Sequence, residues 1–94
     1  MIRNPAVAGQ FYPGNATELR EMLSQLIPQK AVKQDAIGVL LPHAGYIYSG
    51  KVVGAVLSRI NIKDTAIIIG PNHTGRGKAY SIMTEGTWTT PLGE

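Results

Sequence analysis

The chain has 94 residues, of which 44% are hydrophobic and 16% charged, as expected for one globular unit without a bilayer-spanning segment. It contains no cysteine, which excludes disulfides and thiolate chemistry within these residues. The formal charge of +3 comes from basic residues spread along the sequence, so we expect no nucleic-acid partner and, without an apolar leader, a cytoplasmic location.

The first predicted element is a helix that follows Asn15. Asn15 is a good N-cap, Glu18 stands three residues later as in a capping box, and Pro28 ends the segment. Apolar residues recur at the spacing of one buried helical stripe, namely Leu19, Met22, Leu23, Leu26 and Ile27. We expect this stripe to pack against a neighbouring element.

Two apolar runs and a second helix follow. Residues 36–41 and 65–69 are continuous apolar runs that end at Pro42 and at Gly70, as is typical of buried strands. Between them, residues 51–60 carry a helical apolar stripe, with Ser49 as the expected N-cap. The sequence therefore predicts an α/β fold with a βαβ unit over about residues 36–69, in a largely parallel sheet with helices on both faces.

The C-terminal part is less regular. Residues 79–84 are a further strand candidate, and residues 85–94 read as a loop or a short edge segment. So few elements leave the faces and edges of a parallel sheet uncovered. We therefore interpret residues 1–94 as a single incomplete domain, the N-terminal part of a layered α/β domain. A complete small chain that covers its sheet by forming a homo-oligomer remains an open alternative.

Each predicted strand is followed by a histidine. His43 stands two residues after the first run, and His73 stands four residues after the second. Ligands of open parallel sheets bind outside the carboxyl ends of the strands, and neighbouring strands lie about 4.8 Å apart, so both imidazoles can reach one ion. We predict a shared metal site at His43 and His73, with polar capping of the strands as the alternative.

Other residues near the histidines are weaker candidates. Tyr46 and Tyr48 could donate protons or hydrogen bonds to a substrate, with packing as an equal alternative. Arg76 and Lys78, beside His73, could attract an anion, with ordinary solvated charge as the equal alternative. No third metal ligand is evident, although Glu85 is the best-placed acid. The segment GPNHTGRGK lacks the ending of a phosphate loop, and Ser49 lacks a nucleophile elbow.

Four segments carry a family resemblance. NPAVAGQFYPG, PHAGYIYSG, GPNH and WTTPLG, in this order, closely resemble the N-terminal part of the Memo family, also called the AmmeMemoRadiSam system protein B family, over essentially all 94 residues. That family is similar in fold to the class III extradiol dioxygenases, which are non-haem iron enzymes. The resemblance implies that His43 and His73 bind Fe(II) or copper. It also implies that the third ligand, a cysteine in the better-known members, is not in this chain.

The resemblance also implies partners, and two functions are open for the site. The remainder of the same fold, in the same polypeptide or as a separate chain, would complete the site, and a radical-SAM protein and an AMMECR-type protein are the implied system partners. One function is a dioxygenase-like, metal-dependent oxidoreductase in which Tyr46 or Tyr48 assists the substrate, with this chain inactive alone. The other is a non-catalytic binding module for a peptide or anionic ligand, to which Arg76 supplies charge.

Overall fold

A computed structural model describes all residues from 1 to 94. Its first helix, α1 (Ala16–Leu26), begins where the sequence predicts. The side chain of Asn15 accepts a hydrogen bond from the backbone N–H of Glu18 at 2.9 Å, which satisfies one of the free donors of the first turn. Leu19 is buried and the other residues of the predicted stripe are half-buried, so the predicted packing face is confirmed.

The second helix, α2 (Tyr46–Leu57), begins five residues before the predicted start at position 51. Gly45 is its N-cap, and the prediction of Ser49 as N-cap is wrong. Ser49 lies inside the helix, where its hydroxyl donates to the carbonyl of Ala44 at 3.0 Å. A serine can occupy a helix interior in this way because its hydroxyl bonds to a carbonyl of the preceding turn. Neither helix is long and apolar enough to cross a membrane.

The two helices pack through a face of small residues on α2. The buried positions of α2 are Ser49, Gly50 and Gly54. A Cβ at Gly50 would stand 2.7 Å from Cδ1 of Leu26, and a Cβ at Gly54 would collide with the Leu26 carbonyl oxygen. These glycines therefore permit a close approach of α2 to the end of α1, because the distance between packed helices depends on the side chains at the contact.

A short parallel sheet joins the two ends of the chain. Strand β1 (Ile2–Arg3) pairs with β2 (Thr87–Trp88), in the register Ile2 to Thr87 and Arg3 to Trp88. The guanidinium of Arg3 also lies 4.6 Å from the centre of the Trp88 ring, within cation–π distance. Two helices and a small parallel sheet agree with the predicted α/β class.

The predicted βαβ unit differs from the observed elements. Residues 36–41, 65–69 and 79–84 form no strands, and the two helices pack on each other rather than on both faces of a sheet. A strand that is apolar on both faces gains its stability from neighbouring strands and covering helices. Here these runs have neither, and residues 36–40 and 65–69 are all exposed.

The runs 36–41 and 65–69 are nevertheless tied together where each begins. Gln34 forms an isolated parallel bridge with Ile60. Next to it, the carboxylate of Asp35 accepts hydrogen bonds from Lys63 at 2.9 Å and from Asn61 at 3.1 Å. The two runs therefore start side by side, as the βαβ prediction requires, although no ladder follows.

Candidate functional site

The first part of the candidate site is the loop that carries His43 into α2. The backbone N–H of Tyr46 donates to the carbonyl of Phe11 at 2.8 Å, so the start of α2 is attached to the N-terminal segment. Inside the helix, the Ser49 hydroxyl holds the carbonyl of Ala44, the residue after His43. His43 thus stands on a short segment that is fixed by hydrogen bonds on its C-terminal side.

The second part is the loop that carries His73, which is organised by the side chain of Asn72. The Asn72 Oδ1 atom accepts hydrogen bonds from the backbone N–H of Thr74 and of Gly75, both at 3.1 Å, and from the Thr74 hydroxyl at 3.0 Å. Its Nδ2 atom donates to the carbonyl of Arg76 at 2.7 Å. One amide side chain therefore closes the turn around His73, as is common for asparagine in loops.

These two loops bring the histidines together, although 30 positions separate them in the sequence. The Nε2 atoms lie 3.0 Å apart, and the ring centres are 5.1 Å apart with the ring planes inclined by 38°. At this distance one neutral imidazole can donate a hydrogen bond to the other. The expectation that His43 and His73 lie side by side therefore agrees with the structure.

The same geometry fits two ligands of one metal ion. Histidine nitrogens bind zinc or similar ions at about 2.0–2.2 Å, so two nitrogens 3.0 Å apart would meet at roughly a right angle on a shared ion. A direct hydrogen bond and a shared ion are mutually exclusive, because both use the same two nitrogen atoms. No group of three or more histidine, aspartate or glutamate side chains is placed together to hold a metal ion.

The other predicted site residues have different surroundings. Tyr46 is half-buried against Tyr12, with ring centres 5.3 Å apart. Its pKa is raised above 10.0, mainly by burial and to a smaller extent by the nearby Tyr12. Tyr48 is exposed. Arg76 and Glu85 are exposed as well, and Glu85 does not join the histidines in a metal-binding group.

A cleft of about 570 Å³ lies next to the His43 loop. One wall is the turn formed by residues 9–13, and the other is the start of α2, where Ala44, Ile47 and Tyr48 line it together with Met22 of α1. The turn residues were not among the predicted site residues. The signal available for them is the segment AGQFYPG, whose two aromatic residues stand between glycines and before a proline.

Comparison with known proteins identifies the family. A family model described as Memo-like protein matches residues 3–94. The chain is 46% identical over 95 residues to a MEMO1 family protein of Aquifex aeolicus, covering 98% of this chain and 35% of the relative. It is 46% identical over 93 residues to one of Methanosarcina mazei, covering 98% of this chain and 34% of that relative. No solved structure matches.

The matches cover nearly all of this chain but only part of each relative. The chain spans about a third of the length of the curated relatives it matches. A further MEMO1 family protein, from Archaeoglobus fulgidus, is 45% identical over 93 residues and shows the same proportion, with 99% of this chain and 35% of the relative covered. Since the family model also extends over nearly all of its residues, the chain belongs to the Memo-like family.

Proposed function

We propose that this chain supplies two histidine ligands to an oxidoreductase-like site for Fe(II) or copper. The observation that carries the proposal is the 3.0 Å separation of the His43 and His73 Nε2 atoms. Imidazole suits both iron and copper among the biological metals. A third ligand comes from protein outside these 94 residues, because only two nitrogen donors meet here.

The residues of the chain would have distinct tasks in such a site. His43 and His73 present neutral nitrogens to the ion, which when bound supplies redox and Lewis-acid chemistry. Asn72 holds the turn on which His73 stands. Tyr48, at the edge of the cleft beside the His43 loop, is free to donate a hydrogen bond to a substrate. Arg76, in the turn closed by Asn72, is free to attract an anionic group.

A second candidate function is a binding module without redox chemistry. The open cleft beside the His43 loop is the observation that favours it, because its aromatic and apolar side chains, among them Phe11, Tyr12 and Tyr48, are available to contact a ligand. In this case the histidines act as hydrogen-bond donors, and Arg76 attracts the anionic part of a peptide or small ligand. Metal binding distinguishes the two functions.

Equilibrium dialysis of the chain against Fe(II) without oxygen, and against Cu(I), tests the proposal. We expect one ion for each chain, and we expect His43→Ala and His73→Ala each to weaken binding by at least about tenfold, as loss of a ligand does in other metal sites. Glu85→Gln is the matched control. Because Glu85 lies outside the histidine pair, this variant should bind metal as the wild type does.

Two results decide against the metal site. If both histidine variants bind iron and copper as tightly as the wild type, the histidines are not ligands. If the wild type binds neither metal but binds inorganic phosphate, and Arg76→Ala removes that binding, the chain is a binding module for anions.

A further inference from the structure

Ser49 is a buried polar residue inside α2, with 7% of its surface exposed. Its hydroxyl has two acceptors within reach, the carbonyl of Ala44 at 3.0 Å and the carbonyl of Gly45 at 3.5 Å. A serine in a helix interior ordinarily bonds to a carbonyl three or four residues earlier, and Gly45 stands at that distance. The shorter bond instead reaches Ala44, which lies outside the helix. The hydroxyl of Ser49 therefore holds the loop before α2.

The Ala44 carbonyl belongs to the first of two consecutive peptide groups that are both held. The Ser49 hydroxyl holds the group between Ala44 and Gly45. The group between Gly45 and Tyr46 is held by the hydrogen bond from its N–H to the carbonyl of Phe11 at 2.8 Å. Because each peptide group is planar, holding two neighbouring groups leaves little rotational freedom at Gly45 between them.

His43 depends on this held backbone for its position. Its side chain is exposed, so burial among other side chains does not fix the imidazole. Pro42 stands before it, and the proline ring restricts the backbone on that side. On the other side, the Ala44 carbonyl is held by Ser49. The backbone of His43 is thus restricted from both directions, next to the contact of its Nε2 atom with His73 at 3.0 Å.

We propose that Ser49 is a positioning residue for His43, which it orients by holding the Ala44 carbonyl. The inference rests on the proposed metal site, because it makes Ser49 a support of one of the two ligands. Residues that orient a metal ligand typically contribute about 10-fold to 100-fold in affinity. Without the hydroxyl, the peptide group after Ala44 is free to rotate, and the two imidazoles lose their fixed separation.

Ser58 provides a matched control at the other end of α2. It is 4% exposed, and its hydroxyl donates to the carbonyl of Ala55 at 3.1 Å, inside the same helix. The two serines share burial and chemistry, but only Ser49 bonds to the histidine loop. Replacement of either serine by alanine removes one buried hydrogen bond, so both variants should lose a similar amount of stability to urea.

The test compares Ser49→Ala and Ser58→Ala with the wild-type chain in two measurements. In a titration with Co(II), Ser49→Ala should raise the Kd by at least about tenfold and alter the visible spectrum, whereas Ser58→Ala should change the Kd by less than about twofold. In the metal-free chain, nuclear Overhauser effects between the two imidazole rings should be present in the wild type and in Ser58→Ala, and absent in Ser49→Ala. Circular dichroism checks that α1 and α2 are retained.

Ser49→Thr tests whether the hydroxyl itself is responsible. Threonine carries a hydroxyl that can also bond to a carbonyl of the preceding turn. We expect this variant to restore both the cobalt affinity and the contacts between the rings.

The inference is overturned if Ser49→Ala keeps both the cobalt affinity and the ring contacts. It is also overturned if both alanine variants lose affinity equally, or if Ser49→Ala alone loses its helical signal, because the hydroxyl then serves only the stability of the fold. A folded Ser49→Thr that behaves as Ser49→Ala does would exclude the hydroxyl as the cause. If the wild type binds no cobalt but Ser49→Ala still loses the ring contacts, the metal site fails and the positioning of His43 stands.

Discussion

Gly54 has no room for a Cβ, because the backbone carbonyl of Leu26 occupies the place where the Cβ would stand. An alanine in a helix interior is otherwise favoured over glycine by about 1 kcal/mol. The two effects have opposite signs, which makes the substitution informative. We predict that Gly54→Ala destabilises the chain by about 1–3 kcal/mol, since a rigid backbone contact must move. Urea unfolding followed by circular dichroism measures this change.

Gly50→Ala provides the comparison for Gly54→Ala. Its added Cβ would meet only side-chain atoms of Leu26, with Cδ1 nearest at 2.7 Å, and this side chain can rotate away. We expect a smaller loss of stability than for Gly54→Ala. Equal or greater stability of Gly54→Ala relative to the wild type would show that α1 and α2 do not pack as closely as described.

Asn72 offers a test of how the His73 turn is held. Asn72→Ala removes the acceptor for three hydrogen bonds and the donor to the Arg76 carbonyl, so we predict a loss of metal affinity of about tenfold, the size expected for a residue that orients a ligand. Asn72→Asp keeps the acceptor and should lose less. Titration with Co(II), followed by its visible absorption, measures both affinity and ligand geometry.

The matched control for Asn72 is Asn61→Ala. Asn61 donates to the carboxylate of Asp35, before the two apolar runs, whereas the histidines follow these runs. We expect its metal affinity to equal that of the wild type. Unchanged affinity and an unchanged cobalt spectrum in Asn72→Ala would contradict the positioning role.

The ion pair of Asp35 with Lys63 predicts an acid-side pH dependence. Hydrogen bonds from Lys63 and then from Asn61 lower the pKa of Asp35 below 3.8. Asp35 therefore stabilises the folded chain fully above about pH 3.8, the pKa of this group in the unfolded chain. This stabilisation is lost as the pH falls through the lower pKa of Asp35 in the folded chain. We expect NMR titration of the Asp35 carboxyl carbon to show this low midpoint, and Lys63→Gln to raise it. High salt should also raise this midpoint, because salt screens the attraction between exposed charges such as Asp35 and Lys63.

Tyr46 predicts a pH dependence on the alkaline side. Burial, with a smaller contribution from Tyr12, raises the pKa of Tyr46 above 10.0. Its contribution to stability is thus complete below about 10.0 and is lost as pH rises through the raised value. Ultraviolet titration should show one late-ionising tyrosine that disappears in Tyr46→Phe. Tyr48→Phe is the control, because Tyr48 is exposed and should leave the late transition unchanged.

The first helix and the meeting of the histidines could be predicted because each depends on local signals. Asn15 caps α1 by contacts within one turn, and each histidine follows an apolar run that ends at proline or glycine. The start of α2 could not be predicted as well, because it depends on the hydrogen bond from Tyr46 to Phe11, 35 positions away. The contact of Gly50 and Gly54 with α1 could not be predicted from the apolar stripe of α2 either, because glycine has no side chain that would contribute to such a pattern.

The strands at residues 36–41 and 65–69 were predicted from their apolar composition. Composition indicates that a segment can be buried, but it does not indicate whether a neighbouring strand or helix is present to bury it. The runs begin and end next to each other, as a parallel pair would. Their ladder is missing because no neighbouring strand or helix covers them.

The pairing of β1 with β2 holds the first residues of the chain beside the segment around Trp88. Thr87 and Thr89 donate backbone hydrogen bonds to the carbonyls of Met1 and Arg3, at 3.0 and 2.9 Å. Removing the first four residues would therefore release the segment around Trp88, although more than 80 positions separate them. A fusion or affinity tag at either terminus would also lie beside the opposite end of the chain, so its placement deserves the same care as a substitution in the sheet.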